Sequence, residues 1–418
     1  MIFGFTRGAL RTKVAYNTLA QLISKFLSAG TTFAVSFFLA RTYGPDSFGD
    51  FIKITTFVGL FFLATDFGLN AQWLKQKMPW RTLIATRLAL ALCFSVVALI
   101  ALWLLPGGQT NGYTESVRMG IYIFLPAIFF QSLLTSANAV FQKSLRYDLS
   151  TLALAAGVVV VLSSLLVLPG LGVPGVITGV LAMLGGIVTT AFVSLLLAKN
   201  MSTAHSYRPV MPSESVELFV LSIPLGLTLV FNVIYGHVDG IILAATRSTA
   251  EVGFYGFAYR IFELALAIPT FFMNAVYPLL LAALGRPERF LTLTKKSLLG
   301  LIAGSVAVTG LLWLTAPLLS LIRPEFAASV PALRVLSLGL PIFFVSGFVM
   351  WALIALGNKR ALVVVYGVGM LGNIALNLLL VPSYGYMAAA WITLVSEAAV
   401  LAATATLFAR MVRHRNRL

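Results

Sequence analysis

Apolar runs long enough to cross a lipid bilayer recur from one end of this chain to the other. Leu88 to Leu105 and Leu298 to Leu312 pass without one charged residue. Crossing about 30 Å of hydrocarbon takes about 20 helical residues. Lipid offers no hydrogen bonds, so a spanning segment must satisfy its backbone as a helix or within a closed barrel. Barrel strands alternate apolar and polar residues, and these runs do not. Composition argues against a soluble globule. Of 418 residues, 59% are hydrophobic and 10% charged, where soluble domains carry roughly 25% charged residues. The mean hydropathy is +0.96. The expected fold is an all-α polytopic membrane protein.

Twelve spans are expected, at 17–40, 51–73, 82–105, 118–141, 150–168, 174–198, 217–243, 252–284, 296–320, 333–356, 361–381 and 386–410. The stretch 252–284 is long for one crossing and holds Pro269 and Pro278, which predicts a kink. The basic start, Arg7, Arg11 and Lys13, leads straight into the first span without a signal-peptide cleavage pattern.

Charge orients these spans, because lysine and arginine collect in cytoplasmic loops. With the N-terminus inside, seven inside segments hold twenty of the 29 basic residues. Outer segments hold five: Arg41, Arg118, Arg247, Arg323 and Arg334. That imbalance puts both termini in the cytoplasm and requires an even number of spans. It also accounts for the net charge of +16. Nucleic acid is not needed as an explanation, since the cations are dispersed over short loops rather than gathered in one stripe. The single cysteine, Cys93, lies in an apolar run and can form no intrachain disulfide.

The chain repeats itself weakly. Leu125-Pro126-Ala127-Ile128-Phe129-Phe130 resembles Leu340-Pro341-Ile342-Phe343-Phe344 at a spacing of 215. Leu168-Pro169-Gly170-Leu171-Gly172 resembles Val381-Pro382-Ser383-Tyr384-Gly385 at a spacing of 213. Gln142-Lys143 matches Asn358-Lys359, and Gly49 matches Gly253, at spacings of 216 and 204. Four matches in order predict two six-helix bundles, 1–200 and 217–418, joined by a cytoplasmic linker at 201–216. Six spans per half make both halves enter from the same side, so the symmetry axis lies along the membrane normal. Two such bundles can rock, which points to a transporter.

An enzyme lacks parts here. His205, His237 and His414 are far apart in sequence, and no paired-histidine metal motif, nucleophile elbow or phosphate-binding glycine loop is present. The longest loop, about 199–216, is too short for a catalytic domain. No soluble cofactor is implied.

Specific residues also resemble a family. The stretch Asn17 to Phe51, with Leu39-Ala40-Arg41 and Tyr43-Gly44-Pro45-Asp46-Ser47-Phe48-Gly49, looks like the opening of polysaccharide flippases. Asp66-Phe67-Gly68-Leu69 resembles the end of their second span. Asp239, Val252-Gly253-Phe254-Tyr255 and Arg260 resemble their seventh and eighth spans. Asn373-Ile374-Ala375-Leu376-Asn377, with Val381-Pro382 and Gly385, resembles the eleventh. The resemblance covers essentially the whole chain. It points to the O-antigen type oligosaccharide flippases of the multidrug/oligosaccharidyl-lipid/polysaccharide exporter superfamily.

That resemblance implies a V-shaped pair of six-helix bundles in a bacterial cytoplasmic membrane. It implies a flippase that carries an undecaprenyl-diphosphate-linked oligosaccharide, an O-antigen, capsule or exopolysaccharide unit, from the inner to the outer face. Membrane lipid and polysaccharide polymerase machinery are the further partners implied. The runner-up is a multidrug-type exporter using cation antiport, which would favour an acidic cavity. A membrane enzyme of glycan assembly stands third, because it would carry a large outer loop.

Charges inside the spans are the candidate site. The related lipid II flippase carries cavity cations on its first, second and eighth helices, and Lys25, Lys53 and Arg260 match that pattern. A lysine at mid-membrane costs about 2.5–3.5 kcal/mol, which calls for a partner or a function. A diphosphate fits, with lysine as a point charge and arginine as a fork for two oxygens. Glu263 lies three residues beyond Arg260 and offers a purely structural partner on the same face. Lys53 offers the alternative of snorkelling to the outer interface. Arg87 reads as an anchor at the inner interface, with a contact in the lower cavity as the alternative. Asp66, Asp239, Glu263 and Glu397 are the acids available for ion coupling or charge pairing. A helix end for Asp66, and packing on a hydroxyl or cation for Asp239 and Glu397, are the simpler readings. Tyr235, Tyr255 and Tyr259 could stack on sugar rings, and Pro126, Pro224, Pro269 and Pro341 are candidate hinges.

Overall fold

The computed structural model describes residues 7–76, 78–201 and 210–415. Half of the expected linker 201–216, residues 202–209, lies outside the described residues, as do Lys77, His205, Arg208 and Arg417, and helix takes up Met201 and the stretch from Pro212 on. The side chains of Arg7, Arg11, Lys13, Tyr235, Lys359, His414 and Arg415 are also outside them.

Among the described residues there are thirteen α-helices, short 3-10 turns and no strand. The first seven are α1 (Arg7–Asp66), α2 (Leu69–Trp73), α3 (Trp80–Leu104), α4 (Glu115–Phe124), α5 (Ala127–Ser144), α6 (Tyr147–Val167) and α7 (Gly175–Met201). Then follow α8 (Pro212–Thr246), α9 (Thr249–Ala283), α10 (Pro287–Thr315), α11 (Ser329–Leu338), α12 (Leu340–Ala355) and α13 (Lys359–Arg415).

Among the described residues nine helical stretches are long and apolar enough to cross a membrane, and splitting two of them at a glycine corner and adding α8 gives the twelve expected spans. The helix α1 is two crossings joined at Gly44, the one residue inside it with non-helical dihedrals (φ 84°). The same holds for α13 at Gly385 (φ 68°). The pairs α4–α5 and α11–α12 each make one crossing, and α3, α6, α7, α8, α9 and α10 make one each. The sequence leaves room for loops at 41–50 and 382–385, yet single residues turn the corner. At Gly44 the reason is local. A left-handed φ suits glycine, and Pro45 disfavours helix in the residue before it while being preset for the first turn of the next.

The repeat is visible in the breaks. Pro126 sits between α4 and α5, and Pro341 sits in the first turn of α12 just after α11 ends. Gly172 after the 3-10 turn Leu168–Leu171 and Gly385 in α13 both have left-handed φ, 76° and 68°. By contrast, α9 runs through Pro269 and Pro278 without a break. Its start is capped by Ser248, whose hydroxyl accepts from the backbone N–H of Glu251 at 3.3 Å, the Ser-x-x-Glu pattern of a capping box.

The chain divides into two compact units. Unit 1 is Met1–Tyr43 with Asp50–Gly236, and unit 2 is Gly44–Gly49 with His237–Leu418. In unit 1, Phe67, Leu69, Trp73, Trp80, Leu83, Phe141 and Leu218 form one buried cluster. The first part of α8 belongs there, since Phe219 stacks on Phe67 at 5.5 Å between centroids. In unit 2 the core is aromatic. Phe48 packs edge-on to Phe257 and Phe326 at 5.7 and 6.3 Å, which explains why residues 44–49 belong to this unit.

Candidate functional site

Unit 1 holds a buried guanidinium. Arg87 on α3 has 0% side-chain exposure. Its Nη1 donates to the Ser136 hydroxyl at 2.8 Å. Its Nη2 donates to Asp66 Oδ1 at 3.0 Å and Asn70 Oδ1 at 2.8 Å. Asn70 in turn donates to the Thr135 carbonyl at 3.2 Å, and Trp80 donates through Nε1 to the Ser136 carbonyl at 2.8 Å. Arg87 is therefore no interface anchor. A guanidinium stranded near lipid is costly, and this one is enclosed by acceptors from α1, α2 and α5.

Lys53 is buried as well. Its ammonium donates to the Gly112 carbonyl at 2.6 Å, holding the loop between α3 and α4. Arg118 grips the same loop, donating to the carbonyls of Leu102, Leu105 and Tyr113 at 2.9, 2.8 and 3.1 Å. Tyr113, itself in this loop, is buried, and burial pushes its phenol well above the usual value. Lys25, also in unit 1, is exposed on α1.

In unit 2, Arg260 Nη1 and Glu263 Oε2 pair at 3.0 Å, each side chain about a third exposed (32%). Among the described residues Glu263 is the one partner of Arg260. Asp239 on α8 is buried. Its carboxylate accepts from the Tyr255 hydroxyl on α9, from the Thr393 hydroxyl on α13 at 3.4 Å, and from the Gly240 N–H at 2.8 Å. No lysine or arginine among the described residues pairs with it. Elsewhere on α13, Asn373 donates to the Ser396 hydroxyl at 3.0 Å, and Asn377 donates to Asn373 Oδ1 at 3.1 Å. Glu397 is buried in the same helix. Tyr255 and Tyr259 lie 5.5 Å apart by ring centroid.

The structure thus joins Asp66 to Arg87 and Glu263 to Arg260, and gives Asp239 three neutral donors. Sequence reasoning missed Asn70, Ser136 and Thr393 as partners. Their signal was present, since each is a polar residue inside or at the end of an apolar span, where it needs a partner.

The family described as "Polysaccharide biosynthesis protein" matches residues 38–299. No curated protein matches. Among solved structures, a lipid II flippase, MurJ, in an inward closed conformation superposes with a TM-score of 0.72 at 14% identity, covering 94% of this chain and 87% of that one. A multidrug resistance MATE family transporter of the MOP superfamily, inward-facing, gives 0.71 at 13% identity, covering 96% and 99%. A MOP superfamily transporter from Pyrococcus furiosus gives 0.60 at 14%, covering 96% and 95%. These likenesses establish the fold, a multi-pass helical one shared with those proteins.

Proposed function

Because the chain belongs to the polysaccharide biosynthesis protein family, we propose that it flips an undecaprenyl-diphosphate-linked oligosaccharide from the inner to the outer face of a bacterial cytoplasmic membrane. The two halves of the repeat, 1–200 and 217–418, rock to give alternating access. The substrate is an O-antigen, capsule or exopolysaccharide unit made ready for polymerisation outside. The similarity to a solved lipid II flippase supports a lipid-linked cargo.

The observation that carries this reading is Arg260. It is a guanidinium inside an apolar span, a third exposed, that spends only Nη1 on Glu263. Its other N–H groups are free to take phosphate oxygens, for which the planar fork is suited. Lys25, exposed on α1, adds a second cation for the diphosphate. Lys53, its ammonium held on the Gly112 carbonyl, contributes a third positive charge. Glu263 keeps Arg260 extended in the absence of substrate, Asp66 serves Arg87, and Asp239 is the acid placed to couple transport to an ion gradient.

The test is flipping in proteoliposomes with a fluorescent undecaprenyl-diphosphate oligosaccharide. Wild type is compared with a Lys25→Ala, Arg260→Ala double variant of equal insertion and folding. Flipping by wild type and not by the variant supports the reading. If wild type moves no polyprenyl-linked sugar but expels organic cations, the multidrug exporter takes its place.

A further inference from the structure

One end of unit 2 gathers exposed cations from three stretches of chain. Arg286 and Arg289 flank the start of α10, with Lys295 and Lys296 two turns further on. Arg360 opens α13, and Arg410 and Arg413 close it. All seven are exposed, and none has an ion-pair or side-chain hydrogen-bond partner among the described residues. Glu288 is the one acid interspersed with them in sequence.

Packing contacts bring these stretches together. Phe290, next to Arg289, lies 6.5 Å from Phe408, two residues before Arg410, by ring centroid. The Asn358 amide donates to the Met411 sulfur at 3.2 Å, so the start of α13 meets its end. The cations also lead directly into apolar rows. Lys295, Leu299, Ile302 and Val306 share a face of α10, and Leu299 is 70% exposed. Arg360, Val363, Val364 and Val368 do the same on α13, with Val363 73% exposed. Such rows face lipid tails, so the cations sit at headgroup depth.

We infer that this end of unit 2 is a binding surface for anionic phospholipid headgroups of the leaflet on the side of the C-terminal segment. Clusters of four to eight Lys/Arg beside a membrane span attract anionic lipid. The depth of the cluster, set by the apolar rows, favours a headgroup over a soluble polyanion. General enrichment of cations at the inner face does not explain why these seven are unpaired and gathered. Elsewhere at the expected inner side, in unit 1, Lys143 lies over the Trp73 ring at 4.6 Å and Arg146 pairs with Asp148 at 2.9 Å.

The experiment is native mass spectrometry of the full-length protein titrated with phosphatidylglycerol or phosphatidylcholine. Two double variants remove equal charge from the expected inner side: Arg289→Gln with Arg410→Gln in unit 2, and Lys143→Gln with Arg146→Gln in unit 1, whose charges are engaged by Trp73 and Asp148. Each charge near an anionic surface is worth about five-fold in affinity. The unit 2 variant therefore loses roughly ten-fold or more in phosphatidylglycerol affinity, and the unit 1 variant stays near wild type. Arg289→Lys with Arg410→Lys keeps the binding, which separates lost charge from misfolding. Equal losses in the two Gln variants, or equal retention of phosphatidylcholine and phosphatidylglycerol by wild type, would overturn the inference.

Discussion

Gly49 and Gly253 face each other with backbone against backbone. A Cβ on Gly49 would stand 1.9 Å from the Thr249 carbonyl oxygen and 3.0 Å from the Gly253 nitrogen. A Cβ on Gly253 would stand 2.3 Å from the Pro45 carbonyl oxygen. The two glycines that match in the internal repeat thus form one contact, and it seats the 44–49 segment on α9 within unit 2.

Gly253→Ala must push these backbones apart, at a cost of about 1–3 kcal/mol. The expected result is a lower melting temperature in detergent and a 44–49 segment more open to protease. Gly59→Ala is the control, since nothing lies within 4 Å of the position a Cβ would take there. It should leave stability unchanged or slightly raised, because alanine favours helix over glycine. Equal melting of the two variants would refute the close-contact account.

Arg87→Ala leaves Asp66, Asn70 and Ser136 facing a cavity without their shared donor. Losing one partner of a buried pair costs about 3–5 kcal/mol. The lower end applies, because Asp66 keeps 33% exposure of its side chain. Arg87→Lys should recover little, because one ammonium cannot reproduce a fork that reaches three acceptors. Adding Asp66→Ala to Arg87→Ala should return part of the loss, and a thermal-melt double-mutant cycle measures it.

Much of the architecture was legible in the chain itself. Long apolar runs dictate helices in lipid, and Leu125-Pro126 and Leu340-Pro341 mark the broken crossings. The corners at Gly44 and Gly385 were less legible, because a turn of one residue leaves no polar loop to read. For the candidate site, Arg260 and Glu263 could be paired from their i, i+3 spacing. Arg87 could not be placed, since its acceptors come from three other helices and sequence distance carries no record of them. Lys53 reads from sequence as a cation at the start of the second span, for a diphosphate or the outer interface, but the Gly112 carbonyl it holds is a backbone group that no side-chain pattern announces.

Lys53→Met should free the loop between α3 and α4. A hydrogen bond to a charged group contributes about 1.5–3 kcal/mol, so hydrogen exchange at residues 106–114 should rise while the remaining helices stay protected. Tyr113 adds a pH signature to the same loop. Its phenol is raised by burial, whereas in the unfolded chain it ionises at about 10. Its stabilising contribution is whole below that pH and falls as pH rises past it. Tyr113→Phe should therefore melt less steeply with alkaline pH than wild type.

Asp239 accepts from Tyr255, Thr393 and Gly240 without a lysine or arginine partner among the described residues, so its charge and its shape can be separated by substitution. Asp239→Asn keeps one acceptor oxygen, enough for the two hydroxyls on Oδ2 but not also for the Gly240 N–H on Oδ1, so stability should fall by about 1 kcal/mol. Tyr255→Phe instead removes a donor from a buried carboxyl and should cost about 1–3 kcal/mol. Transport separates the roles further. If Asp239 exchanges a cation or proton during the cycle, Asp239→Asn folds normally and its flipping no longer responds to an imposed ion gradient. If Asp239 only packs, gradient dependence in Asp239→Asn proteoliposomes equals that of wild type. The expected outcome is the first, because acids inside membrane spans mark ion pathways and proton relays.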